Sequence, residues 1–374
     1  MLAKNIFKKY IYPASVLSGS IIGVGFFSLP YIASKAGIWL TLFYLVFLTG
    51  VVAVVNSIVG QIALKTPDFK RIPGFVGFHL GKWAETISLI TATLGGFGVL
   101  LVYLIVGGSF FSNALSPIFG GSYLLYVFIY SVAAAALIYC DIKAIAKVEL
   151  ATVLLLFSVL LLILLKGFSN WSLDNILISN FKFQTSNFFL PYGPIIFSLW
   201  GVGLIPEVEE MVRGDKKNMK KIIIISVLVP AFIYCLFMLL ILGITGSQTT
   251  DSALAGLKNI LTGGFAVFGF LAGAIITFNA FLSLSLILKK SFMYDLGIKK
   301  NHAVIIVCSL PLILFLLGLR SFIGVISFVG GIFIGIDGIL ILLMYKKIGG
   351  KNIIIYPLSL IFLLGIIYQL WFYK

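Results

Sequence analysis

The sequence predicts an all-α polytopic membrane protein, and three observations carry that prediction. Apolar residues make up 61% of the 374 and charged residues only 10%, with a mean hydropathy of +1.15, which leaves little surface fit for water. The apolar residues gather into eleven runs at or near the ~20 residues needed to cross a bilayer: 10–33, 37–64, 84–114, 122–139, 149–166, 189–212, 222–245, 263–288, 302–318, 322–345 and 352–373. Two of these runs hold the triplets Gly23-Val24-Gly25 and Gly201-Val202-Gly203, each followed by a proline, Pro30 and Pro206. Glycine and proline disfavour helix interiors, so both runs are expected to break in mid-membrane.

The net charge of +15 would suggest a nucleic-acid partner in a soluble protein, but its distribution excludes that reading. With the N-terminus placed in the cytoplasm, 21 of the 27 Lys and Arg fall in inner segments and six outside. This is the positive-inside asymmetry, and for eleven spans it predicts N-terminus in and C-terminus out; the low charge and isoleucine/lysine bias fit an integral protein of the cytoplasmic (inner) membrane. The first run is basic and then apolar, like a secretion signal. Its length and the lack of a small-residue cleavage pattern mark it as a retained first helix. Cys140, Cys235 and Cys308 fall in or beside apolar runs and read as small hydrophobes.

Taken in order, the first five runs and the next five form two halves separated by the outer segment 167–188, which contains Trp171, Asp174 and Asn180. The segment 65–83, with Pro67, Pro73 and Gly74, reads as a cytoplasmic loop. Five is odd, so the two halves enter the membrane from opposite sides. The Gly-Val-Gly breaks then run antiparallel, as an inverted repeat requires, with 10–166 as one repeat, 189–345 as the other, and 352–373 as an added eleventh helix. Broken backbone at membrane depth is tolerated only where it is buried in protein or lines a cavity, and its orphan N–H and C=O ends bind anions and cations respectively. No soluble domain is left over.

The segment from Gly19 to Pro30, Gly-Ser-Ile-Ile-Gly-Val-Gly-Phe-Phe-Ser-Leu-Pro, followed by Ala33-Ser34-Lys35-Ala36-Gly37, resembles the first helix of amino acid permeases. Ser198 to Glu207 is similar to their sixth helix, and Thr277 to Leu286 loosely resembles the eighth. The resemblance is to the amino acid-polyamine-organocation superfamily, nearest the aromatic and hydroxy amino acid permeases and the amino acid/auxin permeases. It implies the leucine-transporter fold with five-plus-five inverted repeats, a midplane substrate site between helices 1, 3, 6 and 8, and coupling to a proton or sodium gradient.

The expected substrate contacts are Gly19, Ser20, Gly23 and Gly25 on the first break, through backbone N–H groups and the Ser20 hydroxyl. Phe197, Trp200, Gly201 and Gly203 form the facing wall, and Tyr103 on the third run offers a hydroxyl to a carboxylate. Close helix packing is the competing reading for the small residues. Gly95-Gly96-Phe97-Gly98 and Gly107-Gly108 leave room for a large apolar side chain or for a neighbouring helix. For the coupling ion, Thr277 and Asn279 supply oxygens of the type sodium accepts, but hydroxyls bonded to their own helix are the alternative. The family's paired hydroxyls in this helix are shifted here, which turns the expectation toward a proton. Intramembrane carboxylates are functional candidates by default, and Glu207 and Asp337 are the two considered for coupling or gating, against salt bridges to inner lysines. These features predict secondary active transport of amino acids, aromatic or large neutral ones, by alternating access. A sodium symporter and an uncoupled facilitator or channel stand as alternatives. No cofactor, metal or nucleic-acid partner is expected, and no residue pair has catalytic spacing.

Overall fold

The computed structural model describes residues 10–67, 70–140, 145–177, 185–212, 216–259, 264–294 and 297–371, and among these the chain is helical nearly throughout. Among the described residues, six helices are long and apolar enough to span a membrane: Ile38–Lys65, Lys82–Phe119, Asn218–Gln248, Gly264–Met293, Phe322–Lys347 and Asn352–Trp371. They are spans 2, 3, 7, 8, 10 and 11. Span 1 is the pair Tyr12–Ile21 and Val24–Ala36, bent by 48° at its break. Two shorter apolar helices, Tyr123–Tyr139 and Lys300–Leu316, occupy the fourth and ninth runs, and the helix Ile145–Gly167 the fifth. Span 6 is split into Tyr192–Leu199 and Ile205–Val212. Each half is too short to cross alone.

The interior is built by span 8 lying along span 3, span 7 along span 2, and the halves of span 1 against span 7. The first half of span 6 packs on span 10, which is interrupted by a π-helical turn at Val329–Phe333. The outer surface is strongly apolar, as lipid requires, with Trp39, Val46, Phe119 and Trp371 all exposed.

One connection differs from expectation and another gains contacts. The segment read as the loop 65–83 contains a helix, Ile72–Leu80. Pro73 sits in its first turn, where a missing N–H costs nothing, and Gly81 at φ 90° ends it. His79 on this helix meets the Thr66 hydroxyl at 2.9 Å. The outer segment between the halves is pinned to span 7, with Trp171 Nε1 donating to the Leu239 carbonyl at 3.2 Å and Asn175 Nδ2 to the Gly243 carbonyl at 2.8 Å. Residues 178–184, including Asn180, lie outside the described residues.

Candidate substrate and coupling site

Span 1 stops at Ile21 because the next residues leave the helical path. Ile22 N still donates to the Ser18 carbonyl at 3.1 Å, but Gly23 N turns back to the Ile21 carbonyl at 2.8 Å. Gly23 is extended, at φ −115° and ψ −167°, and a 3₁₀ turn runs from Val24 to Ser28. Pro30 lies in the first turn of the helix that follows, so it starts the second half rather than breaking the first. Span 6 repeats the pattern: its first half ends at Leu199, a 3₁₀ turn covers Val202–Leu204, and Pro206 opens the second half.

The two breaks touch each other, and glycine is what lets them. A Cβ on Gly25 would lie 2.5 Å from Ser198 Oγ and 2.8 Å from Phe197 Cδ1, while one on Gly201 would lie 2.6 Å from Ile21 Cγ1. Gly25 of the first break is thus pressed against the first half of span 6, and Gly201 of the second against the first half of span 1.

Beside this crossing lies a cavity of about 230 Å³. Of the residues expected to bind substrate, Ser20, Gly23, Gly25, Tyr103, Phe197 and Trp200 line it, together with Asp337 from span 10. Val24, Thr91, Gly95, Gly96, Val99, Ser198, Val329 and Phe333 complete most of the wall. The Tyr103 hydroxyl makes no hydrogen bond among the described residues, and a Cβ on Gly23 would stand 3.6 Å from it. The first N–H groups of a 3₁₀ turn have no acceptor within the turn, which leaves those of Val24 and Gly25 at the cavity edge. Backbone donors, a free phenol and the positive end of a helical turn therefore converge where a carboxylate fits.

Other expected residues lie elsewhere. Gly19 and Gly203 face open space and Gly201 is used in packing; none lines the cavity. The Ser20 hydroxyl, though at the cavity, bonds to its own helix at the Leu17 carbonyl, 2.8 Å away. Thr277 does likewise, to Gly273 and Ala274 at 2.8 and 3.0 Å, and Asn279 Nδ2 reaches Thr152 Oγ1 at 3.5 Å. The space beside Gly107 and Gly108 is filled by Tyr130, Thr277 and Val127.

The two candidate carboxylates part company. Glu207 does not line the cavity, and its Oε2 is buried without a hydrogen-bond partner among the described residues. Asp337 does line it, and its Oδ1 lies 2.6 Å from the hydroxyl of Thr91 on span 3. Thr91 and its partnership with Asp337 carried no signal in the sequence, since the two are 246 residues apart. A second residue without a sequence signal is Tyr234 of span 7, which is fully buried and reaches both breaks at once.

The family model described as transmembrane amino acid transporter protein matches residues 11–345. The chain belongs to this family. It is an integral membrane protein and an amino acid transporter rather than an enzyme. No curated protein matches its sequence. Among solved structures, the transporter is similar to the crystal structure of MhsT in complex with L-phenylalanine, at a TM-score of 0.64 and 14% identity, covering 97% of this chain and 98% of that one. At that identity the likeness bears on the fold, which is the leucine-transporter-like fold.

Proposed function

We propose that this transporter moves large neutral amino acids, aromatic ones included, by alternating access with proton coupling. The substrate carboxylate meets the Val24 and Gly25 N–H groups and the Tyr103 hydroxyl. Its side chain lies against Val99, Phe197, Trp200, Val329 and Phe333, an apolar wall shared by spans 3, 6 and 10. The two halves 10–166 and 189–345 act as inverted repeats around this site, with 352–373 outside them. The N-terminus lies in the cytoplasm and the C-terminus outside, a topology the loop charges support.

The observation that carries proton coupling is that Asp337 shares the cavity with the first break. Thr91 has one hydroxyl hydrogen and two acceptors in reach, Asp337 Oδ1 at 2.6 Å and the Ser88 carbonyl at 3.1 Å. With Asp337 ionised, Thr91 donates to it. With Asp337 protonated, the carboxyl donates to Thr91, whose hydrogen returns to Ser88. Taking up a proton therefore rewires the contact between spans 3 and 10 beside the substrate. The Thr277 hydroxyl, committed to its own helix, weighs against a sodium site there.

The same carboxylate favours a second reading, in which a cationic amino acid places its side chain toward Asp337. Uptake into liposomes containing the purified protein, scanned over all protein amino acids, separates these readings. The proposal expects neutral, large substrates accumulated by an inward pH gradient and indifferent to sodium. Preference for lysine or arginine supports the second reading. Concentrative uptake that survives with both gradients dissipated rejects ion coupling.

A further inference from the structure

Where two broken helices bring their carboxyl ends to one place, carbonyls that lack an intrahelical partner accumulate partial negative charge, about half a unit per helix end. Such a place attracts a cation or demands a hydrogen-bond donor. Here Ile21 is the last residue of the first half of span 1, and Ser198 the penultimate residue of the first half of span 6. Ile21 O accepts from Gly23 N at 2.8 Å and keeps a second lone pair free for another donor. Between the Ile21 and Ser198 carbonyls stands the hydroxyl of Tyr234, 2.7 Å from Ile21 O and 2.9 Å from Ser198 O. The side chain is fully buried. Its ring lies parallel to that of Phe26, with centroids 5.7 Å apart and planes within 5°. Phe26 belongs to the 3₁₀ turn on the far side of the first break. One side chain thus holds the carbonyl ends of both breaks by its oxygen and the following turn by its ring.

We propose that Tyr234 is a positioning residue that stands in for a cation. Its single hydroxyl hydrogen is shared between the two carbonyls, a three-centre arrangement, and does there what a bound monovalent ion would do. The hydroxyl locks the two breaks together and sets the Val24 and Gly25 N–H groups for the substrate carboxylate. Because a neutral phenol fills the place between the carbonyls, no sodium binds there, and substrate binding needs none. The inference rests on the reading of the first break as the substrate site.

The variant Tyr234→Phe keeps the ring and removes the donor, leaving two buried carbonyls facing each other. The probe is a radiolabelled mixture of the protein L-amino acids, supplied to liposomes at subsaturating and saturating concentration. Thermal unfolding in detergent is followed while choline chloride is replaced by sodium chloride at constant ionic strength. For the folded variant, subsaturating uptake is expected to fall roughly tenfold, with a smaller loss at saturation. Sodium should stabilise the variant in a concentration-dependent way and leave the wild type unchanged. Unaltered subsaturating uptake, or no sodium response in the variant, makes Tyr234 a packing residue and overturns the proposal. If the variant does not fold, the wild type decides: sodium-dependent stabilisation overturns the proposal and insensitivity supports it. Gly23→Ala is measured alongside as a control on the site itself. Normal uptake by that variant sinks the site reading, whereas impaired uptake there with normal uptake by Tyr234→Phe sinks only the role of Tyr234.

Discussion

Replacing each of two neighbouring glycines by alanine should have opposite effects, and the difference can be worked from the geometry of the first break. At Gly25 the added Cβ would sit 2.5 Å from Ser198 Oγ and within 3.1 Å of two Phe197 ring carbons. Relief requires Ser198 to give up its 2.7 Å bond to the Pro194 carbonyl, or Phe197 to swing away from the break. Overpacking of this kind costs about 1–3 kcal/mol. At Gly23 the nearest atom, the Tyr103 hydroxyl oxygen, would be 3.6 Å away, an ordinary contact, and the extended backbone there suits any residue. Gly23→Ala should therefore fold at least as stably as wild type, because alanine restricts the unfolded chain. Its methyl, however, projects between the Tyr103 hydroxyl and the break, and loss of one charge-assisted hydrogen bond weakens binding roughly tenfold or more. Thermal unfolding of both purified variants, with and without each amino acid, reads stability and binding together. An unfolding temperature for Gly25→Ala equal to that of wild type would refute the packing of the two breaks. A full ligand-induced shift in Gly23→Ala would refute the placement of the carboxylate.

Asp337→Asn keeps a hydrogen-bonding side chain beside Thr91 and removes the titrating group. One proton per cycle across one unit of pH supports about tenfold accumulation, so the variant should exchange substrate across the membrane yet fail to concentrate it. Tenfold accumulation by the variant would remove Asp337 from the coupling step. Glu207→Gln, changed at a carboxylate off the cavity, should retain pH-driven accumulation, and its loss in liposome uptake would move the coupling site to span 6. At His79, partial burial lowers the pKa from its usual 6.5. The folded state then binds fewer protons than the unfolded one, so this contribution is present above about pH 6.5 and fades as the pH falls through the lowered value. Melting temperatures measured from pH 7.5 to 5 should decline less in His79→Gln than in wild type; identical slopes would exclude the ring.

Whether a feature could be read from the sequence depended on whether its cause was local. The runs, the breaks at Gly23 and Gly201 and the candidate Asp337 were legible, because hydropathy, glycine content and an intramembrane charge are all local properties. The helix Ile72–Leu80 was hidden because Pro73 and Gly74 signal a turn, and only the structure shows the proline in a first-turn position where it is harmless. Gly19, Gly203 and Gly25 look alike in the sequence. Only Gly25 meets a facing helix, and that depends on a contact across 173 positions, to Ser198. Tyr234 gave no signal, since a tyrosine in an apolar run is ordinary and its importance lies in two carbonyls it finds 213 and 36 residues away.

The contacts around the breaks also explain how so few charges suffice. Gly25 presses on the first half of span 6, Gly201 on the first half of span 1, and Tyr234 bonds to the end of each. The two broken helices are thereby cross-linked at three points, and neither can tilt without carrying the other. On the side of the break toward Ala36, Phe27 meets Phe110 of span 3 edge to face at 5.5 Å, and both are fully buried. That side is closed by rings. The cavity instead extends the other way, to Thr91 and Asp337, toward the ends of spans 3 and 10 that carry Lys82, Lys346 and Lys347. Under the proposed alternating access, Asp337 lies on the side of the cavity that opens in this conformation and the Phe27–Phe110 contact closes the other side. A motion that opens the other side must part those two rings, and because the breaks are joined it must move span 6 with span 1, narrowing the passage beside Asp337. On the proposed function, substrate and proton share one cavity bordered by the same pair of broken helices, so backbone ends bind the substrate while a single carboxylate carries the charge.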